Sequence, residues 1–403
     1  FLVLLVHHLI VLKILKIEEF ILTNLLKSLL MQSDNFFYKF YYLWWKNIDK
    51  SIFIIISLLF TIGLFFSLVS TSLIASDKLN TNSYFFFFKH LIYVIIGIFL
   101  IFIFSLIEKD KLYKYSIIFF IISLISLFLV PIIGIEVKGS RRWLDLFFLP
   151  RFQPVELLKP FLIVIIAIIL CSNKANILLK YFFTTVLISI ISLCLVIQPD
   201  IGQTLLVVFS WSVLIFTSGI NIYFLLAIFL ICAIFLSYLI IYVPKFVYIK
   251  GRILSFFDRE TGTHNFQSDK AIESITSGGF FGKGIGEGVL KNRVPEAHTD
   301  YIISVISEEF GVVAIILILL LFLVLIYMVL KKISFETNDK VKLILIGSIS
   351  LILMQATIHI GVNIRLFPTT GMTLPFLSYG GSSIISTSIL AGIILNLTKR
   401  KIS

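Results

Sequence analysis

A chain of 403 residues that is 59% hydrophobic and only 14% charged is not a water-soluble domain, because such domains carry roughly a quarter charged residues. Its formal net charge of +12 comes without any long soluble basic segment. The Lys and Arg residues are therefore assigned to loops facing anionic headgroups or the cytoplasm, and nucleic acid is not expected as a partner.

Residues 1–30 carry no signal-peptide cleavage pattern and the first Met is Met31, so 1–30 is read as an extension and 1–43 as an N-terminal cytoplasmic segment. A bilayer core takes about 20 apolar residues per helix. Runs of that kind lie roughly at 51–74, 84–107, 115–134, 157–171, 181–198, 203–219, 222–243, 301–330, 342–363 and 382–398. The expected fold is an all-α polytopic membrane protein, with 44–403 as a single transmembrane domain. It has about ten transmembrane helices and a large extracytoplasmic loop, 244–300, between helices seven and eight. The cysteines, Cys171, Cys194 and Cys232, sit in apolar stretches with no CxxC spacing and no histidine cluster, which makes them packing residues.

Basic residues of the short loops, Lys109, Lys111, Lys114, Lys174, Lys180, Lys331, Lys332, Lys340 and Lys342, all fall on even-numbered loops, and Lys399, Arg400 and Lys401 follow the last span. Both termini are thereby placed in the cytoplasm. The stretch 135–156 breaks the pattern, since Lys138, Arg141, Arg142 and Arg151 lie on the opposite side. Positive charge kept against the topology signal points to an anionic ligand. With this topology four polar segments open on the outer face: KGSRRWLDL with RFQPVELLKP (138–160), QPDIGQT (198–204), NRVPEAHTDYI (292–302) and LFPTTGMTLPFLSYGGSS (366–383). Ionisable groups at membrane depth persist mostly where they pair or do chemistry, so this convergence describes a site.

These segments, with SGGFFGKGIG and PEAHTDYIISVISEEFG, resemble the motif set of the FtsW/RodA/SpoVE (SEDS) family over about residues 44–398. The wording NFQSDKAIESITSGGFFGKGIGEG and TTGMTLPFLSYGGSS is more similar to the FtsW, or division, branch than to the RodA, or elongation, branch. Three departures stand out: Val155 replaces a usual Ser, Gln203 reads as an extra residue between Gly202 and Thr204, and Tyr301 replaces a usual Phe. The resemblance implies a peptidoglycan glycosyltransferase that polymerises lipid II into glycan strands, with undecaprenyl pyrophosphate as leaving group. It further implies a class B penicillin-binding transpeptidase and other division proteins as partners. The expected location is the bacterial cytoplasmic (inner) membrane at the division site, among membrane lipids, with the active site on the extracytoplasmic face.

Asp300 opens the eighth span, and a count of 100° per residue places Ser304, Ser307 and Gly311 on its face, with Glu308 at the edge. Spacing alone leaves open whether Asp300 or Thr299 caps the helix or Asp300 acts as a base. By resemblance, Asp300 is the general base that takes the acceptor hydroxyl's proton. Lys138, Arg141, Arg142, Lys159, Arg252 and Lys283 are candidates to face the pyrophosphate. Glu156 and Lys159, three apart, are expected to pair on one helical face. Asp200 serves its turn or joins Asp300 in holding a divalent cation such as Mg or Mn; no other cofactor is expected. His298 is an acid–base or orienting group, whereas His90 and His359 are read as satisfied packing histidines. Ser378, Tyr379, Gly380 and Ser382 lie at a helix start whose amides could hold an anion. A lipid II flippase, a RodA-type elongation polymerase and a non-catalytic division scaffold are the rival readings. The clustering of polar groups at the outer ends favours an enzyme over a transporter.

Overall fold

The computed structural model describes residues 42, 44–70, 84–137, 140–145, 150–173, 176–243, 246, 250–251, 254, 256, 266–290, 294 and 296–399. The expectations for Lys138, Arg252 and residues 1–41 lie outside the described residues. The chain divides into a small unit, Phe1–Ile48 with Arg400–Ser403, and a large one, Asp49–Lys399. Everything below concerns the large unit.

Three helices, α1 (Lys50–Ser70), α2 (Phe85–Leu106) and α3 (Lys109–Ile133), lead into a hairpin of β1 (Ile135–Val137) and β2 (Ser140–Trp143). Then come α4 (Pro154–Leu170), α5 (Ile177–Ile197), α6 (Ile201–Thr217), α7 (Ile222–Tyr242), the short α8 (Phe266–Gly278), α9 (Ile302–Phe335), α10 (Asp339–Asn363) and α11 (Gly381–Leu397). Among the described residues seven helices, α1, α2, α3, α5, α7, α9 and α10, are long and apolar enough to cross a membrane. Each apolar run read from the sequence falls on one of the helices, with ends displaced by a few residues.

The packing is that of a protein dissolved in lipid. Ile92, Ile95, Phe99, Ile118 and Ile122 point outward from α2 and α3, while Ser348, Thr387, Ser388 and Asn396 are buried in α10 and α11. Polar and small side chains bind helices together where hydrocarbon replaces water. The α2–α11 contact shows how: a Cβ on Gly97 would stand 2.4 Å from Ser388 Oγ, and one on Gly392 would stand 2.7 Å from Phe104 Cβ. At the lower end of the pair Asn396 Nδ2 donates to the carbonyls of Phe104 (2.8 Å), Ser105 (3.3 Å) and Ile107 (2.5 Å), which closes the last turn of α2.

Two features depart from the sequence reading. The stretch 135–156 is no simple loop, because Glu136 pairs with Arg141 and Val137 with Ser140 in an antiparallel hairpin, with Leu144 bridged to Phe152 beyond it. And α9 is not one straight span. Gly311 has φ 73 and ψ −176 inside it, a region open essentially to glycine alone. Val312 N–H and Val313 N–H donate to the carbonyls of Gly279 (3.1 Å) and Phe280 (3.3 Å) instead of to their own helix. Ser304, Ser307 and Glu308 are therefore enclosed by protein: Ser307 Oγ donates to the Ile275 carbonyl (3.3 Å), and Glu308 accepts from Ser274 Oγ (3.0 Å) and the Leu290 N–H (2.9 Å).

Candidate functional site

Segments far apart in sequence meet at one end of the bundle. The hairpin carries Arg142 to the α5–α6 turn, where Nε donates to the Gln198 carbonyl (3.4 Å) and Nη2 to that of Pro199. Arg142 Nη1 also stands 3.7 Å from Asp200 Oδ1, both side chains being largely buried. Asp200 caps α6 by accepting from the Gln203 N–H (3.4 Å), and its Oδ2 accepts from Gln153 Nε2 (2.9 Å). Burial raises the Asp200 pKa, and the Arg142 charge and the Gln203 amide pull it back. Gln153, which the sequence reading passed over, also donates its own N–H to Ser382 Oγ (3.0 Å) and so ties α4, α6 and α11 together. Its signal was the FQP wording just ahead of a Pro-initiated helix.

One turn deeper, Glu156 Oε1 accepts from Lys159 Nζ (2.9 Å) and Gln203 Nε2 (2.6 Å). Lys159 Nζ donates as well to Gln355 Oε1 (3.2 Å), and Gln355 Nε2 donates to the Thr373 carbonyl (3.0 Å). The expected Glu156–Lys159 pair exists, with Lys159 only 1% exposed, and it links α4, α6, α10 and the approach to α11. Gln203 is not a bulge: α6 runs without interruption from Ile201, and Gln203 is the residue that reaches Glu156.

Asp300 sits in the turn before α9. Its N–H donates to the Glu296 carbonyl (3.1 Å), and its own carbonyl accepts from Asn363 Nδ2 (2.9 Å). Tyr301 is the residue at the helix cap. Thr299 Oγ1 turns back to Glu296, 3.2 Å from its carbonyl and 3.3 Å from Oε2. Asp300 Oδ2 lies against Gly371, 3.5 Å from where a Cβ there would stand. Nearby, Tyr379 N–H donates to the His298 carbonyl (3.1 Å), and the His298 ring lies 4.3 Å from Phe86 and 5.8 Å from Tyr379. Burial, with the Tyr93 phenol beside it, pushes the Tyr379 hydroxyl up to about 12. It is consequently a neutral donor at any physiological pH. His90 packs in this aromatic cluster with both ring nitrogens buried and lacking hydrogen-bond partners, so it is a packing residue but not a satisfied one. His359 Nδ1 is 2.7 Å from the Met372 carbonyl.

Other expected residues are placed elsewhere or turned to packing. Arg141 is 54% exposed and stands 3.6 Å from Glu136 on the hairpin. Lys283 is held by Glu308 Oε1 at 3.3 Å, two turns along α9 from Asp300. Ser378 Oγ accepts from the Leu374 N–H (2.9 Å). The glycines of SYGGSS let protein approach closely: a Cβ on Gly380 would meet Thr373 at 2.9 Å and one on Gly381 the Tyr93 ring at 2.5 Å. Among the described residues no three His, Cys, Asp or Glu side chains gather as a metal cluster. The Asp200 oxygens accept from the Gln203 N–H and Gln153 Nε2. A groove of about 280 Å³ runs between α6 and α10, walled by Leu205, Phe209, Ile358, Phe367 and Thr370, with Arg142 in its lining.

Apolar helices around a buried polar network, with an acid and an arginine at one end beside an apolar groove, define a polytopic membrane protein. The chain belongs to the FtsW/RodA/SpoVE family, described as cell cycle protein, whose pattern it matches over residues 49–402. It is similar to the probable peptidoglycan glycosyltransferase FtsW of Caulobacter vibrioides, 30% identical over 370 residues that cover 89% of this chain and 91% of that one. Its fold is similar to that of a chain in a peptidoglycan synthase complex described for its structural coordination of polymerization and crosslinking. That chain is 24% identical, with a TM-score of 0.69 over 87% of this chain and 97% of the other. The rod shape determining protein RodA of Thermus thermophilus follows at 24% identity and a TM-score of 0.63, covering 87% and 96%.

Proposed function

We propose that this protein is a peptidoglycan glycosyltransferase of the division type, which polymerises lipid II into glycan strands and works beside a class B penicillin-binding transpeptidase. In this reading all ten long helices cross the cytoplasmic membrane, the segment 244–300 is extracytoplasmic, and the Asp300 end faces outward. The observation that carries it is a continuity of surface. The groove wall at Thr370 passes into Gly371, against which the Asp300 carboxylate lies. A polyprenyl chain in the groove has its diphosphate at the Arg142 end and its sugar toward Asp300.

In the reaction the acceptor hydroxyl oxygen attacks the anomeric carbon, Asp300 takes the hydroxyl proton, and the bond from that carbon to the phosphate oxygen breaks with inversion. The electron pair leaves on undecaprenyl pyrophosphate, whose charge Arg142 helps to balance. His298 and the neutral Tyr379 hydroxyl flank the acceptor sugar. The relatedness to FtsW enzymes and the fold shared with a synthase complex support this activity and partnership.

The test is polymerisation of labelled lipid II by purified protein with its transpeptidase partner. Asp300→Asn is expected to abolish glycan product while the thermal unfolding profile is retained. An Asp300→Asn protein that polymerises normally but no longer translocates lipid II would make the transporter the better reading, and one that still polymerises and translocates would remove Asp300 from the mechanism.

A further inference from the structure

We infer that the glycine-rich loop 279–290 is a membrane-interface anchor, which presents Phe280 and Phe281 to the acyl chains of the leaflet at the Asp300 end. Four observations carry this. The first is exposure: Phe280 is 75% and Phe281 84% exposed, with Ile285 and Val289 beside them also bare. Among side chains of this size that is a surface to be covered.

The second is rigidity. The loop is clamped to the break in α9 by the N–H groups of Lys283 to the Glu308 carbonyl (2.9 Å) and of Gly284 to the Glu309 carbonyl (3.0 Å). The Gly286 N–H donates to Glu309 Oε2 (2.6 Å). Gly282, at φ 78, lets the chains approach so closely that a Cβ there would stand 2.1 Å from the Glu309 carbonyl oxygen. With both glutamates turned inward, the loop carries its apolar side chains outward in a fixed arrangement.

The third is depth. Lys331 and Lys332 mark one membrane boundary of α9, and about 20 residues at 1.5 Å each reach back some 30 Å, the thickness of a hydrocarbon core, to Gly311. The Phe280 carbonyl accepts from the Val313 N–H, which sets the two phenylalanines at the opposite boundary. The fourth is continuity: directly below, Val313, Ile316 and Leu317 face outward from α9 with lipid as their solvent. Phe side chains on interfacial segments bury at the headgroup–acyl boundary, and Lys283, the loop's cation, is turned inward to Glu308, so the outward surface around Phe280 and Phe281 is apolar. The inference does not depend on the reaction assigned above.

An environment-sensitive fluorophore on Phe281→Cys tests it, in protein whose three native cysteines are replaced, in vesicles of phosphatidylethanolamine and phosphatidylglycerol. The same label on Arg141→Cys, at the exposed hairpin, is the aqueous control. The expected result is a blue-shifted emission, with quenching by lipids spin-labelled high on the acyl chain at least about twofold stronger than at the control position. Iodide quenching equal to that of the control, with no response to the spin-labelled lipids, would overturn the proposal. So would shielding from iodide that arises only when the transpeptidase partner is added, which would make the loop a protein interface. Phe281 is so exposed that its replacement leaves packing intact, and thermal unfolding of the labelled protein in detergent checks this.

Discussion

Removing the charge of Lys159 while keeping its length, as in Lys159→Met, isolates the cost of breaking the buried network under the site. Its Nζ is 2.9 Å from Glu156 Oε1 and 3.2 Å from Gln355 Oε1. Neither Lys159 nor Glu156 has solvent to fall back on, and Glu156 Oε2 lacks a hydrogen-bond partner even in the intact protein. The substitution leaves Glu156 with the Gln203 amide as its remaining donor. Breaking a buried pair from one side costs about 3–5 kcal/mol, because the surviving charge is stranded. In a chain of this size that lowers an unfolding midpoint by about 4–6 °C. Neutralising both partners, Glu156→Gln with Lys159→Met, strands nothing and is expected to return within about 1 kcal/mol of the parent. The assay is thermal unfolding in detergent at one scan rate, since membrane proteins rarely refold and midpoints depend on rate. Lys111→Met, which loses an exposed pair with Glu108, should not move the midpoint. A single variant that melts with the parent, or a double variant as unstable as the single, would refute the reasoning.

Gly311→Ala is expected to destabilise by at least about 1–3 kcal/mol for the backbone conformation alone. The added Cβ would also fall 2.1 Å from the Phe280 carbonyl oxygen; an unchanged unfolding midpoint would show that α9 is not broken there. At the opposite end of the bundle burial tends to raise the Asp49 pKa, but Lys332 at 2.7 Å and the Ile52 and Ser51 amides outweigh it and hold the carboxyl below its usual 3.8. A depressed folded-state pKa stabilises above the unfolded value and ceases to do so as pH falls through the folded one. The stability difference between the parent and Asp49→Asn, followed by unfolding midpoints from neutral pH downward, should therefore be constant until about pH 4 and shrink below it. A difference independent of pH would contradict the pairing.

Charge and length were what the sequence displayed best. The helices follow from runs of apolar residues long enough for a bilayer, and Glu156 and Lys159 announced their pairing by a three-residue spacing on one helix. Gln355 and Asn363 gave no such notice, and Gln153 and Gln203 showed only in the wording of their motifs, not in any spacing. Amides are neutral, follow no period, and here find partners 47 residues away for Gln203 and 196 for Gln355; only the folded chain brings them together. The break in α9 was masked by an apolar run continuing on both sides of Gly311, although two adjacent acids, Glu308 and Glu309, just before a glycine were a sign that the segment was not facing lipid. At the helix start of SYGGSS the glycines announced close approach, but only the folded chain shows that Thr373 and the Tyr93 ring are among the neighbours that make it.

The grip on Asp300 has a bearing on how its chemistry is interrogated. Asn363, itself fastened to the His359 carbonyl at 2.8 Å, holds the main chain of Asp300 and not its acid group. An isosteric exchange at this position alters the proton inventory while leaving the Asn363 bond to the main chain in place, whereas Asn363→Ala removes that bond and spares the acid. The two substitutions separate what the group does from where it is kept.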